Sequence, residues 1–254
     1  MPDHYDAVVD LSEREGAVRR HPWEVARSGF FRSLIARHAE VTLLRSVLDI
    51  GAGDGWFAGE LLSDVSHDCE LVCWDVNYTS EDLQAQLGPR VRRVTDVPNR
   101  TFDLVLLLDV IEHIADDAAF LEQSVIPRLQ RDSVLVVSVP AFQTLYSDHD
   151  RALGHERRYR PAALHELLAD RVDIVEHGGL FTTLLAPRLL SAAAERIGRR
   201  GSANGVGAWT GGPALTSALT GVLGADASAG AWLARHGVRL PGLSTWAVCR
   251  AKYA

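Results

Sequence analysis

The run Val47-Leu-Asp-Ile-Gly-Ala-Gly-Asp-Gly-Trp56 constrains the fold more than any other stretch of the chain. Val47, Leu48 and Ile50 read as a short buried strand, and Gly51, Gly53 and Gly55 follow at once. Trp56-Phe-Ala-Gly-Glu-Leu-Leu62 then places apolar residues at helical spacing. Strand, glycine turn and helix in that order let the backbone approach a bound molecule, because a side chain at those glycines would fill the space or forbid the turn. An acid, Asp75, ends Leu71-Val-Cys-Trp-Asp75, with Val76 beside it. Its distance from the glycines is that at which a second strand presents a carboxylate to ribose hydroxyls. The pattern predicts a nucleoside-containing cofactor.

The dinucleotide fingerprint G-x-G-x-x-G is not met, because Trp56 stands where the third glycine should. The loop also carries acids at Asp49 and Asp54. Carboxylates would repel a pyrophosphate and attract a sulfonium or an ammonium. Here Asp49 to Gly55 resembles motif I of the class I S-adenosylmethionine-dependent methyltransferases. Asp109-Val-Ile-Glu-His-Ile114, after the apolar run Phe102-Asp-Leu-Val-Leu-Leu-Leu-Asp109, is similar to the post-strand motif of many small-molecule members, the ubiquinone-biosynthesis O-methyltransferases among them. The resemblance covers residues 45–175 best. It implies S-adenosyl-L-methionine as cofactor, with Asp49, Gly51 and Gly53 on the methionine side, Asp75 at the ribose, Asp96 at the adenine, and Asp54, Val76 and Asp109 as further cofactor-binding residues.

The expected architecture is α/β: a doubly wound, mostly parallel seven-stranded sheet. Continuous apolar runs such as Phe102–Leu108 and Ser133–Val139 suit strands covered on both faces. A chain of 254 residues, 47% hydrophobic, can bury one full core, so a single domain is expected. Within it, residues 1–45 form an N-terminal helical cover, 46–176 the cofactor-binding core, 177–242 a helical insertion or lid, and 243–254 the last strand. Tyr5, Trp23 and Arg27 are candidates for the cover, against a plainer reading in which the helix packs on the sheet edge with solvated arginines.

Three cysteines without metal-like spacing argue for a reduced, cytoplasmic setting, and the polar, acidic start Met1-Pro-Asp-His-Tyr5 for no signal peptide. A formal charge of −7 without a basic tract disfavours nucleic acid as partner. The expected partner is a small-molecule acceptor. Pro187, Arg188 and Asp226 break the C-terminal apolar runs, so no stable membrane span is expected, while surface association and oligomeric state stay open.

The segment after the fifth strand gathers Tyr146, Asp148, His149, Asp150, His155, Arg157, Arg158 and Tyr159. It should leave the carboxyl edge of the sheet, where open α/β sheets bind ligands. His149 and His113 are the candidate catalytic bases, with His155 third, since an unperturbed imidazole titrates near working pH. Tyr146, Asp148, His155, Arg158 and Tyr159 are candidate substrate contacts. Asp148 and Asp150 could share a divalent cation, but adjacent acids are not distinctive and no metal is expected. The expected reaction is methyl transfer to a small, partly apolar acceptor of natural-product or lipid-like type, O-methylation before N- or C-methylation. A non-methylating relative, a cyclase or a binding protein, is the remaining class.

A sixth strand is expected near Val172–Val175 and a seventh at Ser244–Arg250, with two apolar helical stretches, Leu180–Leu190 and Leu215–Leu233, between them. The glycine-rich Gly198–Gly207 reads as a loop joining the two. Lid, dimer contact and membrane contact are the alternatives for this pair.

Overall fold

The computed structural model describes residues 20–85, 87–196 and 209–252. Tyr5 and the Gly198–Gly207 stretch therefore lie outside the described residues. The chain opens with helix α1 (Pro22–His38), which starts sharply because Pro22 occupies its first turn and His21 caps it. The His21 Nδ1 accepts from Trp23 N at 3.1 Å while Glu24 Oε2 accepts from His21 N at 3.1 Å, a reciprocal cap.

Strand β1 (Ser46–Ile50) leads through the glycine turn into α2 (Trp56–Leu61). β2 (Glu70–Trp74), α3 (Ser80–Gln84), β3 (Val91–Val94) and β4 (Phe102–Leu108) follow. Then come α4 (Asp117–Phe120), β5 (Leu129–Pro140), α5 (Asp148–Ala152), α6 (Pro161–Ala169) and β6 (Val172–Leu180). Helices α7 (Leu185–Arg196) and α8 (Pro213–Arg235) precede β7 (Ser244–Ala251).

The seven strands form one sheet in the order β3-β2-β1-β4-β5-β7-β6, parallel except for β7. This is the doubly wound sheet that the apolar runs predict. The order reverses between β1 and β4, and a crevice opens at such a switch point beyond the carboxyl ends of the strands. The sheet has a core on each face. Phe30, Phe31, Leu34 and Ile35 of α1 pack with Leu223, Ala227 and Ala231 of α8 and with Trp246 of β7 on one side. Leu121, Val125, Leu164 and Leu168 cover the other. Each fully buried large side chain contributes roughly 1.5–3 kcal/mol.

The second apolar stretch of the insertion packs on α1 and the sheet through Leu223, Ala227, Gly230 and Ala231 while Leu215, Leu219, Val222 and Trp232 stay exposed, and of the two stretches the first lines the crevice. Among the described residues, no helix is long and apolar enough to cross a membrane.

Candidate functional site

Gly51 and Gly55 sit at φ +64° and +74°, a region that a side chain enters only at a cost. A Cβ at Gly51 would lie 2.6 Å from Val110 Cγ2, and one at Gly55 2.2 Å from Leu87 Cδ1. The turn is therefore built for close approach, as its sequence implies. Asp75 fastens it from behind: Gly53 N donates to Asp75 Oδ2 at 3.0 Å and Asn77 N to Oδ1 at 2.9 Å.

A cavity of about 560 Å³ opens beside the turn, within the roughly 300–1,000 Å³ range of small-molecule sites. Asp49, Gly51 and Asp54 line one end, with Arg20, Trp56 and Phe57. Asp109, Glu112 and His113 after β4, and His149, His155 and Arg158 from the loop after β5, line the other. Asp75, Val76 and Asp96 do not line it. Asp75 is buried, Val76 is 56% exposed, and Asp96 lies exposed in the bend after β3.

Asp49 is the last residue but one of β1, with Cys73 and Leu106 as its strand neighbours. Burial raises its pKa to about 7; the Arg27 guanidinium opposes the rise, and the charges of Asp75 and Asp54 add to it. Asp54 pairs with Arg20, whose guanidinium lies 4.7 Å from the centre of the Trp56 ring. Asp109 holds φ +60°, unusual for a non-glycine. Ser138 Oγ donates to its Oδ1 at 2.9 Å, and Arg27 Nη2 lies 2.7 Å from its Oδ2.

The loop after β5 is organised by Asp150, which is fully buried. Its Oδ2 accepts from Ser147 N and Oγ at 2.9 Å each, and its Oδ1 from Arg158 Nε at 2.7 Å. His155 Nδ1 lies 3.1 Å from the same Oδ1, and Arg188 of α7 lies 3.5 Å from Oδ2. The His155 hydrogen bond and the Arg158 charge hold this carboxyl well below the usual range, although burial pushes the other way.

Asp148, its supposed companion, is 70% exposed and pairs with Arg151, so the two acids do not share a site. Tyr146 donates to His155 O at 2.6 Å, and Tyr159 is buried, donating to Asp117 Oδ2 at 2.6 Å. Both brace the loop. Asp109, His113, His149, Asp150, His155 and Arg158 are the sequence-identified loop and motif residues that line the cavity.

Glu112 is the residue that sequence reading passed over. It is fully buried, lines the cavity, and neither carboxylate oxygen has a hydrogen-bond partner among the described residues. Burial and then the neighbouring Asp109 charge raise its pKa well above normal. Its place in Asp109-Val-Ile-Glu-His113 was visible; its burial was not. The three cysteines are buried and free, and burial pushes the Cys69 thiol up to about 11, so none is poised as a nucleophile.

A family model for a methyltransferase domain matches residues 23–172. No curated protein matches the sequence. Among solved structures, StiE O-MT matches with a TM-score of 0.54 at 15% identity, covering 91% of this chain and 76% of its own. Coclaurine N-methyltransferase, bound to N-methylheliamine and SAH, gives 0.55 at 13%, covering 88% and 72%. The cyclase SpnF gives 0.52 at 15%, covering 88% and 81%. At these identities the likeness is one of fold.

Proposed function

We propose, from the premise that this chain belongs to the methyltransferase domain family, that it transfers a methyl group to a hydroxyl of a small, partly apolar acceptor. S-adenosylmethionine is the methyl donor. The observation that carries the acceptor reading is the composition of the cavity. Trp23, Leu153, Leu184 and Leu243 give it apolar walls, while His149, His113 and Glu112 put proton-handling groups among them. Arg158 and Arg188 reach the cavity too, but both are paired with Asp150. That pairing favours an amphipathic acceptor over a strongly anionic one.

The donor's methyl group is activated by its own sulfonium charge, so the protein has to align acceptor oxygen, methyl carbon and sulfur, and exclude water. Asp49 and the turn at Gly51 and Gly53 would hold the methionine side; Asp75, whose oxygens already accept from Gly53 N and Asn77 N, braces that turn, and neither it nor Asp96 lines the cavity. His149 or His113 would take the proton from the acceptor hydroxyl, and the bound cofactor would supply the activated methyl group. Residues 182–196 act as a lid over the acceptor. The working compartment is the cytoplasm and the pathway one of natural-product or lipid-like metabolism.

The test is incubation of the full chain with methyl-labelled S-adenosylmethionine and a panel of hydroxylated and aminated amphipathic acceptors. Label recovered on oxygen supports the reading. Label on nitrogen or carbon moves the acceptor assignment to that atom. Donor binding without transfer to any acceptor overturns it in favour of a cyclase or a binding protein on the same fold.

A further inference from the structure

Three side chains of the cavity face one another with a geometry that methyl transfer alone does not require. One ligating atom each from Glu112, His113 and His155 lie within 4.8 Å of one another. The two imidazoles meet edge to face, their centres 4.6 Å apart. The two segments are pinned together by their backbones, Glu156 N donating to Glu112 O at 2.8 Å. Into this cluster points a carboxylate that is fully buried and has no hydrogen-bond partner among the described residues. A buried carboxyl left unsatisfied is costly, and such a group calls for a ligand.

We infer that Glu112, His113 and His155 bind a divalent transition-metal cation that holds the acceptor hydroxyl. An ion sits roughly 2.0–2.2 Å from nitrogen and oxygen ligands, so donor atoms on opposite sides of it are about 4 Å apart. The donors lie within 4.8 Å of one another, so side-chain rotation has to draw them closer by about 1 Å or more to hold an ion. Two imidazoles and one carboxylate suit zinc, manganese, iron or cobalt and leave positions open on the ion, whereas calcium and magnesium prefer all-oxygen sets.

An independent feature supports it. Asp150 Oδ1 stands 3.1 Å from His155 Nδ1, which leaves Nε2 as the ligating atom. A carboxylate behind a histidine fixes the ring and its tautomer, the usual support of a metal-bound imidazole. Asp150 is in turn held by Ser147, Arg158 and Arg188, so the orientation is rigid.

The inference rests on the methyl-transfer reading and names what its acceptor site contains. An acceptor hydroxyl on the cation loses its proton more readily, and His149 takes that proton. The oxygen lone pair then forms the C–O bond as the C–S bond breaks toward sulfur, leaving a neutral thioether. With His113 engaged as a ligand, His149 is the remaining base of the two.

The test is cation binding by the chelator-stripped full chain, without donor or acceptor, using zinc calorimetry and cobalt absorption. One cation per chain is expected. Glu112→Gln and His155→Asn should each weaken it at least ten-fold, and Asp150→Asn by roughly 10–100-fold. His165→Asn serves as control, because His165 belongs to a separate histidine cluster with His38 and His177. It should leave binding intact. Because a buried substitution can unfold the chain, each variant's melting temperature is read with and without zinc, and the wild-type cobalt spectrum must show nitrogen ligation. Absence of binding, or binding that survives Glu112→Gln or is lost in His165→Asn, overturns the site. Cation binding needs no methyl transfer, so either reading can fail while the other stands.

Discussion

Arg27 Nη2 lies 2.7 Å from Asp109 Oδ2, which ties helix α1 to the residue that follows β4 at the carboxyl edge of the sheet. The same Nη2 donates to Ser138 Oγ at 3.1 Å, and Ser138 in turn holds the other Asp109 oxygen. The clamp offsets a backbone at φ +60°, which costs a non-glycine residue about 1–2 kcal/mol. Arg27→Met keeps an aliphatic stem and removes the guanidinium, together with its contacts over the Trp23 and Phe31 rings. Stability in urea should fall by about 1–3 kcal/mol. A loss below about 0.5 kcal/mol would mean that the pair is incidental.

If the buried Asp49 faces the cofactor as proposed, cofactor affinity should be pH-dependent. Its folded pKa of about 7 stands above the ordinary 3.8, so below neutrality the ligand-free protein keeps a proton there. A cationic cofactor requires the ionised form. Affinity for S-adenosylmethionine should therefore rise with pH through about 7 and level off above. Stability of the ligand-free fold runs the other way, since the unfolded chain releases this proton at lower pH than the native state does. That contribution is lost as pH climbs from about 4 to 7. Calorimetry across neutral pH reads the first effect. Asp49→Asn should weaken binding and flatten the profile, and Arg27→Met should move its midpoint upward. A profile unchanged in Asp49→Asn removes this residue from the cofactor site.

How far the sequence reached follows from what each feature depends on. Strands β1, β2, β4 and β5 were legible because a parallel sheet covered on both faces demands mostly apolar runs, and these have them, with Asp49 in β1 and Asp103 in β4 as the acidic exceptions. β6 was legible only at Val172–Val175, yet it continues to Leu180. Glu176, His177, Gly178 and Gly179 carry no strand pattern, and a bulge between Ile174 and Glu176 shifts the register against β7. Their pairing is a backbone matter. Gly179 is required there because a Cβ would meet Leu240 O at 2.4 Å. The glycine turn and its acids were readable since steric need dictates residue type. Glu112 and Asp150 were not, because burial of an acid depends on partners distant in the chain, and nothing local separates a buried carboxylate from a solvated one.

Gly51→Ala tests the turn. The new methyl group meets Val110 Cγ2 at 2.6 Å and the backbone must hold φ +64°. The second penalty alone is about 1–2 kcal/mol. Melting temperature and cofactor affinity should both drop. Val110→Ala in the same chain removes the clash and leaves the backbone strain, so the double variant should recover part of the loss. Full recovery would show that φ at this position is free to relax, and no recovery that the Val110 contact is irrelevant.

Asp148 and Asp150, two residues apart on one short helix, should respond to the same change by very different amounts. Asp148 is 70% exposed and its partner Arg151 is 58% exposed; Asp148→Ala should shift stability by no more than about 0.5 kcal/mol. Asp150 is the common acceptor of Ser147, His155 and Arg158, and Arg158 is itself only 7% exposed. Asp150→Ala strands that guanidinium without its carboxylate, a loss on the order of 3–5 kcal/mol. Asp150→Asn keeps the shape and part of the hydrogen bonding and should fall between. Denaturant unfolding of the three variants reads this order directly. Equal effects from Asp148→Ala and Asp150→Ala would mean that the loop after β5 is held by something other than the buried carboxylate. The same series separates roles. If Asp148 contacts the acceptor, Asp148→Ala should raise KM at unchanged stability, whereas Asp150→Ala should disturb fold and turnover together.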